Sequence, residues 1–257
     1  MFYPANPATL ARDLESMLGK VAQPASPIPK AIIAPHAGYI YSGPIAATVY
    51  AALRPARECI TRVALLGPTH RVAVRGLALP DAESFATPLG TIEIDAEAVA
   101  ALQRLPQITV SGPAHALEHS LEVHLPFLQK VLAQFRLVPL AVGQARAEEV
   151  AEVLDVLWGG PETLLVISSD LSHYLPYAEA QTTDRGTCES ILKLSTTINH
   201  RQACGATPVT GLTLAARRRG LKPMLLDLRN SGDTAGDKQR VVGYASFAFY
   251  EEAGHAH

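Results

Sequence analysis

The feature that most constrains this fold is a series of short apolar runs that polar residues do not interrupt. An unbroken run of this kind is typical of a strand buried on both faces of a parallel sheet. The unbroken runs are Ala31–Ala34, Val63–Leu66, Leu137–Val142 and Leu164–Ile167. A further run near the C-terminus, Val242–Tyr250, alternates in part between polar and apolar residues and predicts another strand.

Segments with apolar residues at helical spacing lie between these runs. Such alternation predicts an α/β fold with three α/β/α layers around a central mixed, largely parallel sheet. The stretch Val72–Ile94 has short β-like pieces and turns, and we expect an antiparallel excursion at the sheet edge. Pro24, Pro27 and Pro29 mark a connector. The predicted helices are Ala8–Lys20, Pro44–Leu53, Asp95–Leu105, Glu122–Gln134, Ala147–Leu157, Ala178–Leu194 and Pro208–Arg219.

Composition excludes several classes of protein. With 22 Lys and Arg against 24 Asp and Glu, the 257 residues carry a formal charge of −2, which argues against a nucleic-acid binder. No stretch approaches the roughly 20 apolar residues of a membrane span, and no signal peptide is evident, so we expect a cytoplasmic protein. Because repeats and long linkers are absent from the sequence, we expect one domain over residues 1–257.

The cysteines Cys59, Cys188 and Cys204 are few and widely spaced, which fits reduced thiols better than a disulfide framework. Cys204 directly precedes a predicted helix. A thiol at a helix N-terminus has a lowered pKa and binds metal more readily. The other two cysteines are interpreted as packing residues.

Histidines follow the predicted strands at the point where each strand ends. His36 follows the first run and His70 the second, and His173 follows Asp170 after a later run. The carboxyl ends of strands in α/β sheets converge on one crevice. A single loop histidine is more often bound to a backbone carbonyl, but imidazole is also the commonest transition-metal ligand. Two such ligands need an anionic or thiolate third, so His36, His70 and Cys204 form a candidate metal site.

A second polar cluster is the segment 118–127, which contains Glu118, His119, Glu122 and His124. If a helix begins near His119, the two glutamates share one face, and acidic residues are favourable at a helix N-terminus. That explanation does not account for the histidines. The His-Glu-x-x-His pattern of zinc proteases is absent from this segment, which disfavours that class.

Taken together, these motifs resemble the Memo family, whose bacterial and archaeal members are often called AmmeMemoRadiSam system protein B. The resemblance runs in order from Phe2 to about Tyr250. The motifs that carry it are Phe2-Tyr3-Pro4, Pro35-His36-Ala37-Gly38-Tyr39, Leu66-Gly67-Pro68-Thr69-His70, Glu118-His119-Ser120-Leu121-Glu122-Val123-His124-Leu125-Pro126, Ser168-Ser169-Asp170-Leu171-Ser172-His173 and Cys204-Gly205.

The resemblance implies a fold related to the class III extradiol dioxygenases, which are non-haem iron enzymes with two His and one Glu as ligands. In Memo-like proteins the pocket looks like two His and a Cys, which map onto His36, His70 and Cys204. Because a thiolate replaces the carboxylate ligand of the dioxygenases, the resemblance does not by itself imply dioxygenase activity. Some relatives carry a second His where this chain has Arg71. The resemblance also surrounds the pocket with residues that orient ligands or move protons, namely His119, Glu122, Asp170 and His173.

Three functions compete. The first is an oxidoreductase that uses Fe(II) or copper on an unknown substrate, with His119 or His173 as acid/base and Tyr39 donating a hydrogen bond to bound oxygen. The second is a zinc-dependent hydrolase with the same ligands. The third is a non-catalytic adaptor, as described for animal relatives that recognise phosphorylated peptides, in which His36, His70 and Arg71 contact an anion. The family label also suggests a pathway link to AMMECR-type and radical-SAM proteins.

Overall fold

The structure is a computed structural model that describes residues 2–22 and 27–251. Pro24 of the predicted connector lies outside the described residues. The strands are β1 (Ala31–Ala34), β2 (Arg62–Pro68), β3 (Leu77–Leu79), β4 (Ser84–Thr87), β5 (Gly90–Glu93), β6 (Ile108–Val110), β7 (Arg136–Val142), β8 (Thr163–Ser168), β9 (His173–Leu175), β10 (Lys222–Asn230) and β11 (Val241–Tyr250). The α-helices are α1 (Pro7–Gly19), α2 (Tyr39–Ala51), α3 (Ala96–Leu102), α4 (Gly112–Ala116), α5 (His119–Glu122), α6 (Leu125–Val131), α7 (Ala147–Leu157), α8 (Tyr177–Leu192) and α9 (Ala206–Arg219).

Nine of the described strands form one sheet in the order β10-β11-β1-β8-β2-β7-β3-β6, with β9 paired to β11. The central strands β1, β8, β2 and β7 are parallel. β11 pairs with β1 in antiparallel fashion, as do β10 with β11 and β3 with β7. The predicted mixed, largely parallel sheet is therefore confirmed.

Apolar side chains on the two faces of the sheet belong to two separate cores. Ala31 and Ile33 of β1 face one core, to which helices α3, α7, α8 and α9 contribute. Ile32 and Ala34 face the other core, with α1, α2 and α6. Burial on both faces is the reason that these strands have no polar alternation, and it confirms the three α/β/α layers.

Two local predictions are wrong. The helix expected over Glu122–Gln134 is split into α5 and α6, because Pro126 in the first turn of α6 cannot continue a preceding helix. Strand β10 was not expected, since polar residues such as Asp227 interrupt its apolar pattern. Within 72–94, β4 and β5 form the expected antiparallel pair, but as a separate sheet, and β3 joins the main sheet between β7 and β6 rather than at its edge.

The parallel strands position the candidate residues. β1, β2 and β8 all end at the same edge of the sheet, and His36, His70 and Asp170 follow them there. Cys204 reaches that edge just before α9 begins. Among the described residues, no helix has the length and apolarity that crossing a bilayer demands.

Candidate metal centre

Three histidines converge beyond the carboxyl ends of the central strands. His36 is buried, His119 is partly buried and His70 is the most exposed of the three. One ring nitrogen of each lies within 4.8 Å of the corresponding nitrogens of the other two. This group could hold a metal ion, and His36 and His70 come from the two strand ends at which the sequence predicts ligands.

A buried serine determines which nitrogen of His36 is available. Ser168 Oγ donates its hydrogen to the carbonyl of Ser120, at 2.6 Å. A carbonyl only accepts, so this hydroxyl proton is committed and Ser168 Oγ is left as an acceptor. His36 Nδ1 lies 2.6 Å from the same oxygen. His36 Nδ1 therefore carries the proton, and the lone pair is on Nε2.

The same oxygen also fixes a second buried histidine. His124 Nε2 lies 2.8 Å from Ser168 Oγ and must donate to it for the same reason. His124 Nδ1 is then an acceptor, and it receives the hydroxyl proton of Tyr50 at 2.8 Å. Burial lowers the pKa of His124 to about 3, so its ring stays neutral at physiological pH. The result is one continuous network, Tyr50 to His124 to Ser168, that holds the His36 ring.

The carboxylate of Glu118 orients His70, as Ser168 orients His36. Glu118 Oε1 lies 2.8 Å from His70 Nδ1 and accepts from the backbone N–H of Ser120 at 2.9 Å, while Oε2 accepts from the backbone N–H of His70 at 2.5 Å. Burial alone would raise the pKa of Glu118, but these hydrogen bonds outweigh it and lower the pKa to about 2. An ionised Glu118 only accepts, so His70 also carries a proton on Nδ1, and the neutral ring then has its lone pair on Nε2. Metal-binding histidines usually have such a partner.

His119 is held differently, by ring stacking. Its ring stacks on Phe2 at 4.3 Å between centroids with an interplanar angle of 9°, and on His70 at 4.8 Å with an angle of 21°. Its Nδ1 lies 3.5 Å from Glu118 Oε1. These contacts hold the His119 ring beside His70, and its ring nitrogen stays within the group of three.

Cys204 lies against His36 but outside the three-histidine group. Its Sγ is 3.3 Å from His36 Nε2, and it accepts a hydrogen bond from the backbone N–H of Asp170 at 3.3 Å. Burial, followed by the charge of Asp170, raises the pKa of the thiol to about 12. The pKa that the helix N-terminus was expected to lower is therefore raised, because burial and the charge of Asp170 favour the neutral thiol. A cation beside Sγ would reverse that balance.

The close approach of Cys204 to the sheet depends on Gly205. A Cβ on Gly205 would lie 2.4 Å from the backbone oxygen of Ser168 and 2.8 Å from the Cβ of Ser169. The residue that follows Cys204 must therefore be glycine if α9 is to begin against the end of β8.

Asp170 and His173 follow β8, and they differ in how closely they approach His36. Asp170 Oδ1 accepts from the backbone N–H of His36 at 2.8 Å, and Oδ2 is 4.0 Å from His36 Nε2. Burial raises the pKa of Asp170. His173 is exposed, and its Nδ1 lies 2.9 Å from the carbonyl of Leu171. Of these two predicted residues, Asp170 is the one that directly contacts His36.

Glu122 and Tyr39 make contacts away from the three histidine rings. Glu122 accepts a hydrogen bond from the hydroxyl of Tyr3. Tyr39 is buried and donates its hydroxyl proton to the carbonyl of Val123 at 2.7 Å. The sequence-based expectation is that Tyr39 donates a hydrogen bond to bound oxygen. In this arrangement its hydroxyl proton is already donated to Val123.

Sequence reasoning singled out neither Ser168 nor Tyr50 as a site residue. Ser168 lies in the noted loop after β8, but nothing in the sequence distinguishes it from Ser169 and Ser172. Glu118 and His124 belong to the noted polar cluster, whose unexplained histidines were the available signal. Tyr50 lies inside an apolar helix and gave no signal at all.

Ser168→Ala removes the acceptor for two buried N–H groups. We expect a loss of about 1–3 kcal/mol in the free energy of unfolding, the usual penalty for buried groups left unsatisfied. We also expect the His36 ring to become a mixture of tautomers, visible in imidazole ¹⁵N NMR. Ser84→Ala, at an exposed position of β4, is the control. An unchanged His36 spectrum in Ser168→Ala would contradict the proton assignment.

Comparison with known proteins shows the family of the chain. A family model described as "Memo-like protein" matches residues 1–248. A MEMO1 family protein of Aquifex aeolicus is 35% identical, with 96% of each chain covered. Those of Archaeoglobus fulgidus and Aeropyrum pernix are 34% and 36% identical, covering 96% and 95% of this chain and 96% and 94% of their own.

Among solved structures, an uncharacterized protein from Escherichia coli K12 is similar at a TM-score of 0.51 and 14% identity, covering 84% of this chain and 98% of that one. At this identity the similarity concerns the fold alone. The family model and the relatives cover nearly the whole chain at substantial identity, so this protein belongs to the Memo-like (MEMO1) family.

Proposed function

We propose that the protein binds one divalent metal ion through His36, His70 and Cys204 and uses it, with Fe(II) as the preferred ion, to oxidise a substrate. The observation that carries the proposal is the pair of fixed tautomers. Ser168 and Glu118 each hold a histidine by Nδ1, which leaves both Nε2 lone pairs for a cation. Ser168 and Glu118 thus orient the rings of His36 and His70 in the same way. Histidines that bind a metal are usually oriented by such a hydrogen bond to the other ring nitrogen.

The spacing of Cys204 supports its place as third ligand. Nitrogen and sulfur ligands lie about 2.1 and 2.3 Å from a bound ion, so at ordinary angles they are roughly 3.1–3.6 Å apart. The 3.3 Å between Cys204 Sγ and His36 Nε2 falls in that range. The rings of His36 and His70 are inclined at 71°, which allows their planes to meet at one ion.

His119 is the competing third ligand, because its ring nitrogen lies in the group of three. The resemblance to the Memo family favours two histidines and a cysteine, so we place Cys204 in the third position. We therefore assign His119 to the neighbourhood of the metal, where its ring is held between Phe2 and His70. From there it is placed to accept or return a proton.

When bound, iron or copper in this site would supply redox chemistry, since three protein ligands leave coordination positions open. Zinc would instead support hydrolysis, which is the runner-up function. The chain's own residues orient the site: Asp170 fixes the backbone of His36 and donates its N–H to Cys204. The remaining predicted groups, His173, Glu122 and Tyr39, are assigned to the surroundings of the pocket, with His173 the second candidate for proton transfer.

Anaerobically prepared protein is expected to bind about one Fe(II) per chain. With Co(II) as a spectroscopic substitute, a thiolate-to-metal charge-transfer band should appear, because Cys204 is a ligand. Cys204→Ser should remove that band, whereas Cys59→Ser, at an exposed cysteine, should retain it. Binding that survives unchanged in the His36→Ala, Cys204→Ser double variant would refute the site. A Co(II) spectrum without the thiolate band would assign the third position to His119.

The Fe(II)-loaded protein is expected to show little ring-cleaving activity on catechols, because a thiolate replaces the carboxylate ligand of the dioxygenases. Oxygen consumption across a panel of catechols, before and after removal of the metal, measures this directly. Turnover of ~1 s⁻¹ or more on any catechol would overturn the distinction, since that rate is within the ordinary range for enzymes acting on their own substrates. Stoichiometric zinc with no metal-dependent oxygen uptake on any substrate that binds would favour the hydrolase.

A further inference from the structure

A large open cleft adjoins the candidate metal centre. Its volume is about 1560 Å³, and both His70 and Cys204 lie in its wall. Most of its lining comes from the loops that follow β2 and β7 and from the segment around β6. Pockets for small molecules usually measure about 300–1,000 Å³, so this cleft has room for a ligand longer than a single ring.

The charges along the cleft are strongly unbalanced. Arg71, Arg75 and Arg146 line it, and the one acidic side chain among its described lining residues is Glu149. Glu149 is already engaged, since its Oε1 lies 3.4 Å from Arg146 Nη2 and its Oε2 accepts from the backbone N–H of Arg146 at 2.8 Å. Among the described residues, Arg71 and Arg75 have no carboxylate within 4.0 Å. Two guanidinium groups thus remain for a ligand.

The backbone next to Arg75 is tightly packed. Gly76 has a φ of +76° and approaches so closely that a Cβ there would lie 2.0 Å from the carbonyl oxygen of Gln107. Its N–H donates to Gln144 at 2.8 Å, and its carbonyl accepts from Gly143 at 3.0 Å. Arg75 is therefore attached to a segment that cannot easily shift, which favours specific binding over loose charge attraction.

Apolar side chains supply the rest of the surface. Val72, Val74, Ile108, Val110 and Val142 all line the cleft, and 46% of the Val110 side chain is exposed. A purely inorganic anion would leave the partly exposed Val72, Ile108 and Val110 in contact with water. A ligand with an apolar body and a charged end would cover them and pair with the arginines.

We propose that this cleft binds an organic anion, a carboxylate or phosphate ester with an apolar body, whose charge is held by Arg71 and Arg75. Arg71 directly follows His70, and His70 and Cys204 line the same cleft, so a ligand anchored there lies beside the candidate metal centre. The anion-binding proposal names the substrate class of the proposed oxidoreductase. It rests on the proposed function only in assigning the oxidation of that substrate to the metal. Anion binding itself needs no metal ion.

The test uses the full chain, metal-free, and two fluorescent probes that differ by one charge. 8-Anilinonaphthalene-1-sulfonate carries a sulfonate, and N-phenyl-1-naphthylamine is its neutral counterpart. We expect the anionic dye to bind at least about tenfold more tightly, as one charged hydrogen-bonding contact allows. The Arg71→Gln, Arg75→Gln double variant should lose that preference and keep its affinity for the neutral dye. The charge-matched control is Arg12→Gln, Arg217→Gln, at exposed positions of α1 and α9.

Displacement of the anionic dye by benzoate or by phenyl phosphate then identifies which anion the arginines prefer, and either result supports the proposal. Equal affinity for the two dyes, or the same loss in the control variant, would overturn it, as would failure of both competitors to displace the dye. The two proposals fail separately. Absent metal binding with normal dye binding contradicts the metal centre alone, whereas normal metal binding without anion preference contradicts the cleft assignment alone.

Discussion

One hydroxyl proton, donated by Ser168 to the carbonyl of Ser120, controls the electronic state of the whole site. Because that proton is committed, two buried imidazoles must donate to Ser168 Oγ, and each keeps a lone pair on its other nitrogen. The position of Ser168 follows from the sheet, in which it is the parallel partner of Ala34, two residues before His36. Strand pairing, tautomer and ligand direction are thus consequences of one register.

The second part of the site contains two buried acidic groups, Glu118 and Cys204, whose charged forms burial disfavours. Glu118 is a buried carboxylate, and burial opposes its charge, yet hydrogen bonds from His70 and Ser120 keep it ionised. Cys204 lacks comparable support and is held as a thiol by the same burial. A cation between the thiol and the two free Nε2 atoms would supply what is missing there. On the proposed assignment, the histidine side of the site is ordered by hydrogen bonds, and a bound metal would complete the cysteine side.

The large features of the fold follow from the sequence because burial on both faces leaves a simple pattern, as in Ala31–Ala34. His36 and His70 were found because parallel strands end at one edge. What could not be predicted depends on contacts between distant segments. Tyr50 meets His124 across the core, and the pKa of Cys204 reflects Asp170 and burial rather than the nearby helix. The helical spacing of apolar residues over Glu122–Gln134 also did not reveal the break before Pro126. A proline cannot continue a preceding helix, and here that constraint outweighs the periodicity.

X-ray absorption on the Fe(II)-loaded protein, prepared without oxygen, tests the central claim most directly. The account predicts one sulfur neighbour at about 2.3 Å together with imidazole nitrogens at about 2.1 Å, by analogy with the bond lengths of divalent ions in proteins. The sulfur neighbour should disappear in Cys204→Ser, and the imidazole signal should weaken in His36→Ala. A coordination shell of nitrogen and oxygen alone in the unaltered protein would contradict the assignment of His36, His70 and Cys204.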